Sequence, residues 1–147
     1  MTSRTILLLS GPNLDRLGSR EPEIYGAETL DDHVQVARAV AESNGLALEH
    51  VQSAAEADLV TAVHDATRRC DAIVINPGAL THYGWSLHDA LAAYDGIVVE
   101  VHLSNPSRRE AWRQTSVVAP VASASISGCG GLGYSMAIDF IAARLGE

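Results

Sequence analysis

Lysine is absent from this chain: of its 147 residues ten are basic, and all ten are arginine. A chain without lysine cannot form the lysine Schiff base by which many enzymes acidify a proton next to a carbonyl. Genomic base composition alone could account for such a bias, but the chemical exclusion holds whatever its cause. Cysteine is scarce as well. Cys70 and Cys129 stand far apart without metal-ligand spacing, so they read as incidental thiols and not as a disulfide framework. The six histidines show no HExxH or related metal spacing. No run of about 18 apolar residues suggests a membrane span. The opening MTSRTILLLSGPN has a short apolar stretch but lacks the longer apolar core and small-residue cleavage site of a secretory signal. The cytoplasm is the default compartment.

Familiar catalytic fingerprints are missing too. There is no GxGxxG after the first apolar run, no GxxxxGK followed by Ser or Thr, and no GxSxG. SGCGGLGY contains GxGGxG, but it follows a late strand and lacks the downstream acidic residue of a dinucleotide site, so it reads as tight helix packing. Positive charge is also in deficit. Eighteen acidic residues against ten basic ones give a net charge of −8, which opposes a nucleic-acid partner yet allows a small anion in a local arginine pocket.

What is present is the composition of an ordinary soluble α/β protein: 47% apolar and 19% charged residues in a length that suits one domain, residues 1–147. Periodicity predicts alternating strands and helices. TILLLS, 5–10, is a strand. Thr29 is a helix N-cap with Asp31 and Asp32 in the first turn and Leu30, Val34, Ala37 and Ala41 on one face. ALEHVQ, 47–52, is a second strand, and 54–69 a helix with Val60 and Val63 inward. DAIVIN, 71–76, and GIVVEV, 96–101, are apolar on both faces, as central parallel strands are. A helix is expected over 85–94, a helical turn over 108–114, a last strand in PVASASI, and a closing helix over 134–145. Five strands with helical crossovers predict a flavodoxin-like doubly wound parallel sheet of order 2-1-3-4-5. In that topology strands one, three and four deliver Gly11-Pro12-Asn13, Asn76-Pro77-Gly78 and 100–105 to one crevice.

Three constellations carry chemistry. Tyr25 follows the first strand, five residues beyond Arg20. A free phenol is a poor base at neutral pH unless a cation stabilises the phenolate, which Arg20 can do; the alternative is an aromatic plug for a surface loop. Glu100 and His102 alternate onto one side of a strand end, where a carboxylate can orient and charge an imidazole for general acid work, or form a purely structural pair. In INPGALTHYGWSLHDA, Asn76 and His82 are candidate binders of hydroxyls and His88 reads as solvated. Asp89 is either a solvated charge or a residue that reaches across a subunit contact. Arg108, Arg109 and Arg113 follow the fourth strand; a bidentate arginine suits an anionic or polyhydroxylated ligand, while an exposed basic turn fits at least one of the three.

Together GPNLDRLGSREPEIYG, INPGALTHYGWSLHDA, VEVHLSNPSRREAWR and SISGCGGLGYSMAIDFIA resemble the type II 3-dehydroquinate dehydratases, in the right order along nearly the whole chain. The resemblance implies dehydration of 3-dehydroquinate to 3-dehydroshikimate through an enolate, in the shikimate or quinate pathway, without Schiff base, metal or organic cofactor. It implies roles position by position. Tyr25 matches the base that removes the proton beside the ketone, Arg20 the arginine that keeps the phenol deprotonated, and Asn13 the residue that stabilises the enolate oxygen through a water. His102, oriented by Glu100, matches the acid that protonates the departing hydroxyl. Asn76, His82 and Arg113 match hydroxyl-binding residues, Leu103 and Ser104 the grip on the substrate carboxylate, and Arg109 a loop arginine near the site. Asp89 matches an aspartate supplied by a neighbouring subunit, which implies trimers and a dodecamer of four of them. The loop from Arg20 to Tyr25 resembles a mobile lid.

Asp15 and Arg16 depart from the family's usual GPNLNLLG, and Gly84 stands where serine is common. These changes flank the site. A non-catalytic flavodoxin-like binder of a small polyhydroxylated acid is the alternative from another class, and a flavin-binding protein a third. Neither needs Tyr25, Arg20, Glu100 and His102 together.

Overall fold

The computed structural model describes residues 3–19 and 21–147. Its centre is one five-stranded parallel sheet, and the alternation of apolar side chains along each strand decides which face they join. In β1 (Thr5–Ser10), Ile6 and Leu8 face one layer while Leu7 and Leu9 face the other, and all four are at most 1% exposed. β2 (Ala47–Gln52) and β3 (Ala72–Asn76) pair in parallel with β1 on its two sides. β4 (Ile97–His102) pairs with β3, and β5 (Ala124–Ser127) with β4, completing the order β2-β1-β3-β4-β5.

Helices cover both faces, as an all-parallel sheet with two apolar faces requires. α2 (Leu30–Ser43) and α5 (Leu132–Leu145) pack over Ile6, Leu8, Val74, Val99 and Val101. On the opposite face α3 (Glu56–Arg69) and α4 (Trp85–Ala92) cover Leu7, Leu9, Ile73, Ile75 and Val98. α1 (Pro22–Tyr25) is a single turn in the loop between β1 and α2. The Thr29 cap is a full capping box: Asp32 N donates to Thr29 Oγ1 at 3.1 Å and Thr29 N to Asp32 Oδ2 at 2.9 Å.

Strand bounds agree closely with the periodicity, and the differences have local causes. α3 starts two residues late because Ser53 Oγ accepts from Ala55 N and donates to Asp58 Oδ2, closing a serine turn ahead of the helix. α4 stops at Ala92, and Tyr94 turns away to donate its hydroxyl to Cys70 O at 2.7 Å. The segment expected as a strand from Pro120 is instead a 3-10 turn over Ala119–Val121, since proline has no N–H for a ladder; pairing with β4 begins only at Ala124. SGCGGLGY does serve close packing: a Cβ on Gly133 would lie 3.1 Å from Val101 Cγ1.

Candidate active site

Ligands of doubly wound sheets bind outside the carboxyl ends of the strands, where the strand order reverses; here that is between β1 and β3. The loops leaving these strands are locked together. Gly11 N donates to Asn76 O at 2.8 Å, and a side chain on Gly11 would run into the Pro77 carbonyl. Asn13 then adopts φ 69°, a left-handed conformation that asparagine tolerates better than most residues.

The loops after β1, β3 and β4 surround one cleft. Its walls include Asn13 and Tyr25 from the first loop and Asn76 and His82 from the second. The third loop contributes His102, Leu103, Ser104, Arg109 and Arg113. Nine of the twelve residues singled out from sequence therefore line one cavity. Of the other three, Glu100 lies directly behind His102, Asp89 is exposed on α4, and Arg20 lies outside the described residues.

The imidazole of His102 is held from behind. Its Nε2 lies 2.6 Å from Glu100 Oε2, and the carboxylate is 1% exposed. Glu100 is also reached by the Thr81 hydroxyl, through a short bond to Oε2, and by Ser116 Oγ at 3.1 and 3.2 Å. Burial pushes the Glu100 carboxyl up, but the hydrogen bond and charge of His102 and the hydroxyls of Thr81 and Ser116 together hold it below its ordinary value. A buried carboxylate is tolerated when its oxygens are satisfied in this way.

Tyr25 carries the second polar centre. Arg109 Nη1 donates to Tyr25 Oη at 2.6 Å, and the guanidinium sits 5.2 Å from the ring centroid. The same nitrogen lies 3.3 Å from Ser104 Oγ. Among the described residues a cation at this phenol is Arg109, which the chain brings back from beyond β4; the Arg20 expected there from the sequence lies outside the described residues.

The β3 loop presents its groups in fixed orientations. Asn76 Oδ1 accepts from Gly78 N at 3.2 Å, so Nδ2 is the side that donates to the buried Tyr134 Oη at 3.0 Å. Burial pushes the Tyr134 phenol up to about 12 against the opposing effect of that hydrogen bond, so it stays neutral. His82 Nδ1 donates to Thr115 O at 2.6 Å, which leaves Nε2 as its other polar atom, and its ring meets Trp112 edge-on. His88 is not a solvated bystander: its Nδ1 donates to Val117 O at 2.6 Å. With Val117 N donating to Thr81 O, these bonds pin 115–117 against the β3 loop and bring Ser116 to Glu100. Arg113 stacks 4.0 Å over Trp112 and pairs with Glu110. The carbonyls of Leu103 and Ser104 accept from Gly130 N and Gly128 N, each at 3.0 Å, bracing the loop expected to face a carboxylate.

Thr81, Ser116 and Tyr134 were not singled out from sequence as functional residues. Their only signal is positional: Thr81 adjoins His82, whereas Ser116 and Tyr134 reach the site solely through the tertiary path of the chain.

A model of the family described as Dehydroquinase class II matches residues 4–142. The chain belongs to this family. Among its relatives is 3-dehydroquinate dehydratase 1 of Corynebacterium efficiens, 53% identical over 142 residues, which covers 97% of this chain and 93% of that protein. The 3-dehydroquinate dehydratase of Bacillus licheniformis is 50% identical over 135 residues, covering 92% and 93%. The crystal structure of the type II dehydroquinase from Propionibacterium acnes superposes with a TM-score of 0.91 at 39% identity, covering 97% of this chain and 98% of that one. A class II dehydroquinase fold is thus matched along almost its full length, with the cleft-lining loops inside the matched region.

Proposed function

We propose that this protein removes water from 3-dehydroquinate to give 3-dehydroshikimate, through an enolate and without an imine. One observation carries the reading: a phenol hydrogen-bonded to a guanidinium and an imidazole backed by a buried carboxylate open onto the same cleft. Tyr25 as phenolate takes the proton beside the ketone, with Arg109, and Arg20 by resemblance, stabilising the anion. Electron density moves onto the ketone oxygen, which Asn13 stabilises through a bound water. His102 protonates the departing hydroxyl, and collapse of the enolate forms a double bond conjugated with the ketone. Without lysine in the chain, this acid–base route needs no Schiff base.

Binding follows the same cleft. Asn76, His82 and Arg113 take the substrate hydroxyls, and Leu103 with Ser104 takes the carboxylate, where Arg109 adds positive charge. Asp89 acts from a neighbouring subunit of a trimer, four of which make the dodecamer, in a cytoplasmic enzyme. The step serves aromatic biosynthesis or quinate breakdown alike.

Purified protein mixed with 3-dehydroquinate is expected to develop the ultraviolet absorbance of the conjugated enone with no metal added. Borohydride with substrate should leave it active. Tyr25→Phe is expected to lower kcat by at least about a hundredfold, the scale of a positioned base, while substrate still binds. Wild-type turnover in that variant would remove Tyr25 from the role, and binding without turnover in the native protein would favour a non-catalytic carrier.

A further inference from the structure

The hydroxyls around Glu100 have directions that the backbone decides. Ser116 Oγ accepts the N–H of Val118 at 3.1 Å and that of Ala119 at 2.9 Å. A hydroxyl has two lone pairs and one proton. With both lone pairs engaged, Ser116 has only its proton left to offer, either to Glu100 or to Thr81 Oγ1 at 2.8 Å. In both cases Thr81 cannot donate to Ser116. Its own proton therefore points at Glu100 Oε2, with which it makes the short bond noted above. Hydroxyl protons converging on the carboxylate favour its ionised form, and an ionised carboxylate has no proton to give, so the group facing Oε2 at 2.6 Å, His102 Nε2, is the donor. The depressed proton affinity of Glu100 agrees with this arrangement.

We infer that Ser116 and Thr81, oriented by the amides of Val118 and Ala119, are positioning residues that keep Glu100 an acceptor, hold a proton on His102 Nε2, and leave Nδ1 to deliver the catalytic proton. The inference rests on His102 being the acid of the proposed dehydration. In the step itself the N–H bond at Nδ1 breaks, the proton joins the departing hydroxyl as water, and the ring is left neutral with Nε2–H still on Glu100. The proton that Tyr25 removed returns to Nδ1 through solvent before the next turnover, so protons balance. Without the two hydroxyls Glu100 could itself take a proton, and the imidazole could carry its own on either nitrogen.

The decisive measurement is nitrogen-15 NMR of histidine-labelled native protein at a pH where His102 is neutral. A protonated Nε2 and a bare Nδ1 are expected; the opposite tautomer overturns the inference without needing any variant to fold. Ser116→Ala and Thr81→Val are expected to show mixed tautomers and an acid limb of kcat moved to higher pH. Their kcat should fall roughly tenfold, part of what a positioned acid supplies, with KM within about twofold. Thr81→Ser, which keeps the hydroxyl, should restore the native profile. Variants with the native tautomer and an unmoved pH profile would sink the role of both hydroxyls. His102→Ala that keeps native turnover would instead remove His102 as the acid, an outcome separate from the tautomer result.

Discussion

Glu100 is ionised where an unpartnered carboxylate would be costly, and the side-chain groups around it, His102, Thr81 and Ser116, are the reason. Its proton affinity in the folded chain is lower than in the unfolded one. The stability it contributes is therefore present above the unfolded carboxylate value of about 4.3 and is lost as pH falls through the lower folded value. Glu100→Gln would set an amide NH2 among hydrogen-bond donors. It is expected to be less stable by about 1–3 kcal/mol at neutral pH, with the deficit shrinking below about pH 4. Urea titrations of both proteins across this range check the sign; a deficit that does not change with pH would mean that shape, not charge, matters there. Two tyrosines make the same point about environment. Tyr25 meets a guanidinium at the cleft, whereas Tyr134 is buried, neutral and bonded to Asn76, so one side chain has access to chemistry and the other to orientation alone.

Among the elements, the carboxyl ends of β1, β3 and β4 build the site, and the approach of the first two loops depends on a missing side chain. Gly11 leaves room for the Pro77 carbonyl, and its N–H ties the loops at Asn76 O. Gly11→Ala would force Asn13 and Asn76 apart. A loss of about 1–3 kcal/mol of stability is expected from the overpacking, with a rise in KM as the two asparagines separate. Thermal unfolding and substrate titration measure these; a variant with native KM would show that the spacing of the loops is not critical to binding. The elements themselves were largely legible in the sequence. TILLLS and ALEHVQ became β1 and β2 with unchanged bounds, because apolar runs between turn residues have few other uses. The late start of α3 and the 3-10 turn at Ala119–Val121 were not, since a serine turn and a proline act through hydrogen bonds that periodicity does not register.

For the whole molecule the property of consequence is assembly. Asp89 is exposed on α4, close in sequence to Tyr83 and Trp85, which are 60% and 63% exposed. These two exposed aromatic side chains beside Asp89 suit a contact between copies. Light scattering is expected to give a multiple of the 15.5 kDa chain divisible by three. A monomer with full turnover would remove Asp89 from the site. Among the described residues no helix is long and apolar enough to cross a membrane.

The sequence by itself determined the strand order and the edge of the sheet where chemistry gathers, because periodicity and right-handed crossovers leave few alternatives. It also carried the pairing of Glu100 with His102, which strand alternation places on one side of one element. Tertiary structure alone decided that Arg109, 84 residues away, meets Tyr25, and that Ser116 and Thr81 close around Glu100. Those contacts depend on how the segment after β4 folds back over the β3 loop. No local pattern encodes that path, which is held by imidazole-to-carbonyl hydrogen bonds between residues about 30 positions apart in the sequence.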